Sequence, residues 1–107
     1  MKKIYIAGKV TGLPFDECAQ KFKAAADAIA AMGYEPVNPI EVVNNPDASW
    51  ISAMRLCIAS LMGCDAIYCL PCHIASAGAL IEKKIATNVG MPVIHVLESL
   101  NGAKWNS

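Results

Sequence analysis

The sequence predicts a single doubly wound α/β domain: a parallel sheet of four or five strands, in the order 2-1-3-4, with helices on both faces. Three observations carry this. Short unbroken apolar runs alternate with segments of helical period in a βαβαβαβ pattern, which calls for a parallel sheet covered on both sides. Each periodic segment stops at a glycine, Gly33, Gly63 or Gly90, the residue best suited to a helix C-terminus. And 107 residues suffice for one domain but not two, with no repeat, low-complexity tract or linker to divide them.

The elements follow in order. Residues 3–7 (Lys-Ile-Tyr-Ile-Ala) read as a strand ending at Gly8. Phe15, Ala19, Phe22, Ala26 and Ile29 then recur at three- and four-residue steps, the mark of an amphipathic helix that stops at Gly33. Tyr34–Asn38 is a second strand, ended by Pro39. A polar loop, Asn44-Asn45-Pro46-Asp47, leads into a second helix with Ile51, Met54, Ile58 and Leu61 inward and Gly63 as its stop. Asp65–Leu70 is the third strand, and Asp65 is expected to open it as a structural hydrogen-bonding partner. Ser76 is positioned to cap a third helix running through Val89, with Ala77, Ile81 and Ile85 on its buried face. Pro92–Val96 is a fourth strand. Glu98–Ser107 has no clear period and is a fifth strand, an arm across a partner, or a loose tail.

Composition narrows the function. Hydrophobic residues make up 55% of the chain, yet no apolar run approaches the ~18 residues of a membrane span, so no membrane partner is expected. The start, Met1-Lys2-Lys3-Ile4-Tyr5-Ile6-Ala7-Gly8, has too short an apolar stretch for a signal peptide and no A-x-A site, which predicts a cytosolic protein. Nine basic and nine acidic residues cancel without a block of either sign. A nucleic-acid polymer is therefore not expected as partner, whereas a single nucleotide needs only one or two well-placed charges. Five cysteines, an odd count in a reducing compartment, argue against a disulfide framework.

Parallel sheets bind ligands beyond the carboxyl ends of their strands, where helix N-termini point. That selects loops 8–14, 38–49 and 70–78. The first, Gly8-Lys9-Val10-Thr11-Gly12, is either an ordinary glycine-bounded turn or an anion cradle in which Lys9 adds a charge and Thr11 a hydroxyl. In the third, Gly78 and Glu82 share a helical face. Helical side chains lean toward the N-terminus, so the Glu82 carboxylate lies over Gly78, beside the hydroxyl of Ser76. The bland alternative is a surface Glu, which the neighbouring Lys83 and Lys84 fit, with Gly78 allowing close packing.

Ile4-Tyr5-Ile6-Ala7-Gly8 with Thr11-Gly12, Val37-Asn38-Pro39, Cys64-Asp65-Ala66-Ile67-Tyr68, and Ser76-x-Gly78-x-x-x-Glu82 together resemble the nucleoside 2-deoxyribosyltransferase-like superfamily. The chain is most similar to a branch of small bacterial and phage members close to the 2'-deoxynucleoside 5'-phosphate N-hydrolases, over residues 3 to about 96. The resemblance implies a flavodoxin-like, Rossmann-like three-layer fold, a homodimer or higher oligomer, and no cofactor. It implies hydrolysis of the base–sugar bond of a nucleoside 5'-monophosphate, with transfer of deoxyribose between bases, or nucleotide binding without catalysis, as alternatives. Glu82 matches the nucleophile that attacks the anomeric carbon, in the two-step logic of retaining sugar hydrolysis. Tyr5 matches the residue that orients it. Gly8, Lys9, Thr11, Gly12 and Ser76 match the phosphate-binding positions, and Asn38 and Gly78 are expected against the substrate too. The transferases carry an acidic residue at the Ser76 position, so Ser76 favours a nucleotide over a nucleoside.

Two positions depart from the pattern. Where the superfamily usually carries an Asp, eight residues before Asp65, this chain has Cys57. A thiol near its normal pKa of about 8.5 replaces a carboxylate poorly as a proton handler. Loss of that neighbouring charge is also expected to leave Glu82 more fully ionised at neutral pH. Cys72-His73 replaces the usual Gly-Trp; His73 either supplies the missing proton donor or is a loop residue without a role. Trp50 reads as a core anchor in preference to a wall on which a base stacks. Cys69-Leu70-Pro71-Cys72-His73 spells a c-type haem attachment motif, but a βα alternation without a signal peptide does not suit covalent haem. A thioredoxin-like dithiol would need Cys69 at a helix start. A zinc site from Cys64, Cys69, Cys72 and His73 lacks the second paired cluster of structural zinc motifs. No metal is expected, and the cysteines read as buried apolar residues.

Overall fold

The first strand explains the architecture. Ile4 and Ile6 point to one side of it and Tyr5 and Ala7 to the other, and all four are 0% exposed. A strand buried on both faces needs a layer above and a layer below. The computed structural model describes residues 1–105 and provides both. Asn106 and Ser107, the end of the predicted tail, lie outside the described residues.

Four strands, β1 (Lys3–Ala7), β2 (Glu35–Val37), β3 (Ala66–Cys69) and β4 (Val93–Ile94), form an all-parallel sheet in the order β2-β1-β3-β4, as predicted. Register runs Ile4 opposite Pro36 and Ala66, and Ile67 opposite Val93. On one face α1 (Phe15–Ala31) packs Phe22, Ala25 and Ile29 against Ile4, Ile6 and Ala66. On the other, α3 (Trp50–Met62) and α4 (Ala77–Asn88) pack Cys57, Leu61, Ala79 and Ala86 against Tyr5, Ala7 and Ile67. Each fully buried large side chain here contributes roughly 1.5–3 kcal/mol. At the amino end of the sheet Asp65 acts as expected: its Oδ2 accepts from the Lys3 N–H at 2.8 Å.

Helix ends follow local chemistry. Ser49 and Ser76 cap α3 and α4 by accepting the N–H groups of Ser52 and Ala79, each at 3.1 Å. Gly33, at φ +91°, turns the chain out of α1. A short helix α2 (Pro39–Val43) replaces what the sequence suggested was loop. Its signal was present in Asn38-Pro39, because Asn38 Oδ1 caps Ile40 N–H at 3.0 Å and proline suits the first helical position.

The helical faces differ from expectation. In α1 the buried residues are Cys18, Phe22, Ala25 and Ile29, flanked by Ala19 and Ala26, while Phe15 is 47% exposed. In α3 Cys57 and Leu61 are buried, Met54 and Ile58 lie at the margin, and Ile51 is exposed. Phe15 and Trp50, in the first turns of these helices, line a hollow instead of packing on the sheet. In α4 the inward residues are Gly78, Ala79, Glu82 and Ala86; Ala77 and Ile81 are exposed and Ile85 is only partly covered. The helix is rotated to bring Glu82 to Tyr5. Pro71–Ala75 forms a 3-10 turn, and so does Leu97–Gly102, which drives Leu100 into the core at 1% exposure. The described part of the tail is thus a 3-10 turn packed on the chain's own core, not a fifth strand or a loose end. No described helix is long and apolar enough to cross a membrane.

Candidate functional site

Tyr5 leaves the middle of β1 and meets Glu82 from the second turn of α4, its hydroxyl donating to Oε2 at 2.6 Å. Glu82 is 5% exposed and Tyr5 0%. Burial penalises the carboxylate and lifts its pKa from the ordinary 4.5 to about 7, although the Tyr5 hydrogen bond pulls the other way. The Tyr5 phenol is pushed far above its usual value, first by burial and then by the carboxylate beside it, so it stays a neutral donor. With Cys57 in place of a neighbouring carboxylate, burial is the cause that raises the Glu82 pKa.

Above this pair opens a cavity of about 380 Å³ at the carboxyl ends of the strands. That volume falls within the range of small-molecule sites. Its walls are mostly apolar, from Leu13, Phe15, Ile40, Val43, Trp50 and Met54, with Glu82, Tyr5, Cys57 and Ser76 as convergent polar groups. A second hollow of about 230 Å³ shares Thr11, Trp50, Ser76 and Gly78 with the first and adds Lys9, Ala75 and Ala77. It lies at the N-terminus of α4, where unpaired N–H groups and the helix dipole favour an anion. The Ser76 Oγ already accepts from Ala79 N–H, which leaves its own O–H free to donate.

The predicted glycines have separate reasons. Gly12 sits at φ +84° with open space about it, a backbone conformation that side chains rarely adopt. At Gly8 a Cβ would stand 2.7 Å from Leu70 Cδ1, so the loop needs glycine for packing. At Gly78 a Cβ would stand 2.9 Å from Met54 Sδ. The absent side chain therefore makes room for α3 as much as for a ligand.

The family model described as "Domain of unknown function (DUF4406)" matches residues 2–95, from the start of β1 to just past β4. The chain belongs to the DUF4406 family. No curated protein matches it. The DUF4406 match spans every residue that lines the two hollows and stops short of the Leu97–Gly102 turn that closes the core.

Of the residues predicted from sequence, Tyr5, Gly8, Thr11, Gly12, Ser76, Gly78 and Glu82 come together around the main cavity, with Lys9 on the side hollow. Two do not join them. Asn38 is 7% exposed, caps α2, and does not line the cavity. His73 is 4% exposed, bonded through Nδ1 to the Leu70 carbonyl at 2.7 Å, and faces neither hollow. Trp50 reverses its expectation: at 47% exposed it is a wall of both hollows, not a core anchor. Cys57 does occupy the cavity wall, at 6% exposure, beside Tyr5 and Glu82, with burial raising its pKa.

Sequence reasoning missed Lys21. Its ammonium donates to the Lys9 carbonyl at 2.9 Å and to Cys72 Sγ at 3.1 Å, tying loop 8–14 to loop 70–78. Cys72 also accepts the Lys9 N–H at 3.3 Å. Burial raises the Cys72 pKa, but these hydrogen bonds and the lysine charge outweigh it and leave the thiol below its ordinary value. It is therefore not one of the inert buried cysteines. A lysine on the inner flank of α1, one turn before Ala25, carries no periodic signal that would mark this role.

Proposed function

We propose that this DUF4406 domain is a nucleotide N-glycosidase that hydrolyses the base–sugar bond of a (deoxy)nucleoside 5'-monophosphate. The observation that carries the reading is a buried carboxylate, Glu82, held by Tyr5 at 2.6 Å beneath an apolar cavity that continues into a hollow bearing Lys9, Thr11 and Ser76. Apolar walls including Trp50 suit a base, and the side hollow at the α4 N-terminus suits the phosphate. The resemblance of Ser76-x-Gly78-x-x-x-Glu82 to the 5'-phosphate N-hydrolases points the same way. In the first step Glu82 attacks the anomeric carbon as the base departs; water then releases the sugar phosphate and restores the carboxylate. Only the ionised fraction of Glu82 is nucleophilic, and Tyr5 fixes the direction of attack. The substrate expected is a small molecule, and the protein acts in the cytosol as a homodimer or larger assembly.

One observation favours a second reading, a module that binds a nucleotide without cleaving it. Where the superfamily it resembles carries a carboxylate beside the nucleophile, this chain has Cys57, and its raised pKa leaves it neutral. The decisive experiment is single-turnover release of free base from nucleoside monophosphates, with binding followed by calorimetry. Glu82→Gln is expected to cut base release by orders of magnitude while binding persists. Cys57→Asp is expected to raise release within the 10²–10⁴-fold span of general acid–base assistance, most clearly above pH 7 because a second carboxylate lifts Glu82 further. Binding with no release from either the wild type or Cys57→Asp would establish the second reading.

A further inference from the structure

Cys69 and His73 are near neighbours in the sequence, and folding brings the more distant His95 to them. One ligand-capable atom of each lies within 4.8 Å of the other two. They come from the last residue of β3, the Pro71–Ala75 turn and the residue after β4, at neighbouring strand ends. None of the three lines the cavity over Glu82.

His73 is the informative member. A carbonyl oxygen only accepts, so the 2.7 Å contact with Leu70 places the proton on Nδ1 and leaves a lone pair on Nε2. That Nε2 is fully buried and finds no hydrogen-bond partner among the described residues. Such atoms are rare in folded proteins and call for an explanation. An imidazole with one nitrogen fixed on a backbone carbonyl and the other bare is the arrangement that metal-ligating histidines adopt. The ring of His95 stands opposite, with centroids 5.4 Å apart.

We propose that Cys69, His73 and His95 form a binding site for a Zn²⁺-class cation, with Cys69 Sγ, His73 Nε2 and a ring nitrogen of His95 as three ligands and water as the fourth. One thiolate and two imidazoles suit zinc, whereas calcium and magnesium take oxygen ligands. Tetrahedral bonds to sulfur and nitrogen set the ligand atoms about 3.5 Å apart. The cluster, now within 4.8 Å, closes by about an ångström, and the exposed His95 side chain has the freedom to move. On coordination the Cys69 thiol releases its proton to solvent. Lys83 is within electrostatic reach of Cys69 and His95; its charge favours the thiolate and opposes the cation. The bound ion ties the 71–75 turn to the end of β4, and that turn leads directly into Ser76. This site stands whether or not the glycosidase reading holds.

The test uses the full chain, stripped with chelator under reducing conditions and titrated with Co²⁺ and then Zn²⁺. One equivalent of Co²⁺ should bind with a near-ultraviolet thiolate-to-metal charge-transfer band and the visible bands of a tetrahedral ion, both displaced by Zn²⁺. Zn²⁺ should raise the thermal midpoint. His95→Gln, at an exposed position, should weaken Zn²⁺ binding by at least about tenfold with an unchanged circular dichroism spectrum. His73→Gln and Cys69→Ser should remove the thiolate band, and Cys72→Ser should keep it. If Cys69→Ser does not fold, His95→Gln decides. Absence of stoichiometric binding, Co²⁺ binding without a thiolate band, or a band that survives His95→Gln and disappears in Cys72→Ser would overturn the proposal.

Discussion

Glu82 is a carboxylate whose environment has moved its titration into the neutral range, and that has a thermodynamic signature. Its pKa rises from 4.5 to about 7 on folding, so the folded state holds the proton more tightly than the unfolded chain. The contribution is fully present below pH 4.5 and is lost as pH rises through about 7, to a total of about 3 kcal/mol. Urea unfolding across pH 4–9 should show this decline in the wild type and not in Glu82→Gln. Tyr5→Phe removes the hydrogen bond that favours the carboxylate, and its decline should move to higher pH; parallel curves for all three proteins would refute the assignment. Cys72 offers a second residue-scale prediction. Held by Lys9 N–H and Lys21, it should be the first of the five cysteines alkylated by iodoacetamide in the native protein, as peptide mapping would report. Lys21→Ala should slow that reaction several-fold. The pairing of Tyr5 with Glu82 was legible in the sequence because motif order carries it. His73 and Trp50 were not, because one residue in a loop and one at a helix start carry no period that says which way they face.

At the scale of elements, strands and helices were readable from apolar runs and glycine stops, and both predicted serine and glycine boundaries hold. Rotational phase was the weaker part. In α4 a polar residue, Glu82, faces inward and Ile81 faces out, which inverts the usual reading of an amphipathic stripe. No count of apolar residues predicts that. The Gly8 loop gives a prediction at this scale. Ala at Gly8 places a methyl 2.7 Å from Leu70 Cδ1 and 3.2 Å from Phe22 Cζ, in the packed core between β1 and α1. Overpacking of this kind costs about 1–3 kcal/mol. Gly12→Ala meets nothing within 4 Å, and only its positive φ resists the change. Denaturant unfolding should rank Gly8→Ala the more damaging; the reverse order would mean that the loop, not the core, sets the need for glycine.

For the whole molecule, strand order was predictable because short right-handed connections leave few alternatives for βαβαβαβ. The closing tail was not, because a 3-10 turn has no periodic signature. Leu97–Gly102 nonetheless seals one face of the sheet: Leu100 is buried against the core, its carbonyl accepts from Tyr34 Oη at 3.3 Å, and Trp105 packs on the Tyr34 ring at 5.9 Å. Leu100→Ala should cost about 2–5 kcal/mol in denaturant unfolding. A loss under 1 kcal/mol would mean that the tail is an ornament to a domain that is stable without it.

The outer strands carry a further consequence. β2 is three residues long and contains Pro36, which has no N–H to offer, and β4 is two residues long. A stray chain laid along either rim would find few free hydrogen-bonding groups in register. The apolar runs of β1 and β3, whose β-prone composition favours pairing with other chains when exposed, are confined to the middle of the sheet. A chain that is 55% hydrophobic thereby guards its own aggregation-prone segments with two strands too short to recruit a neighbour.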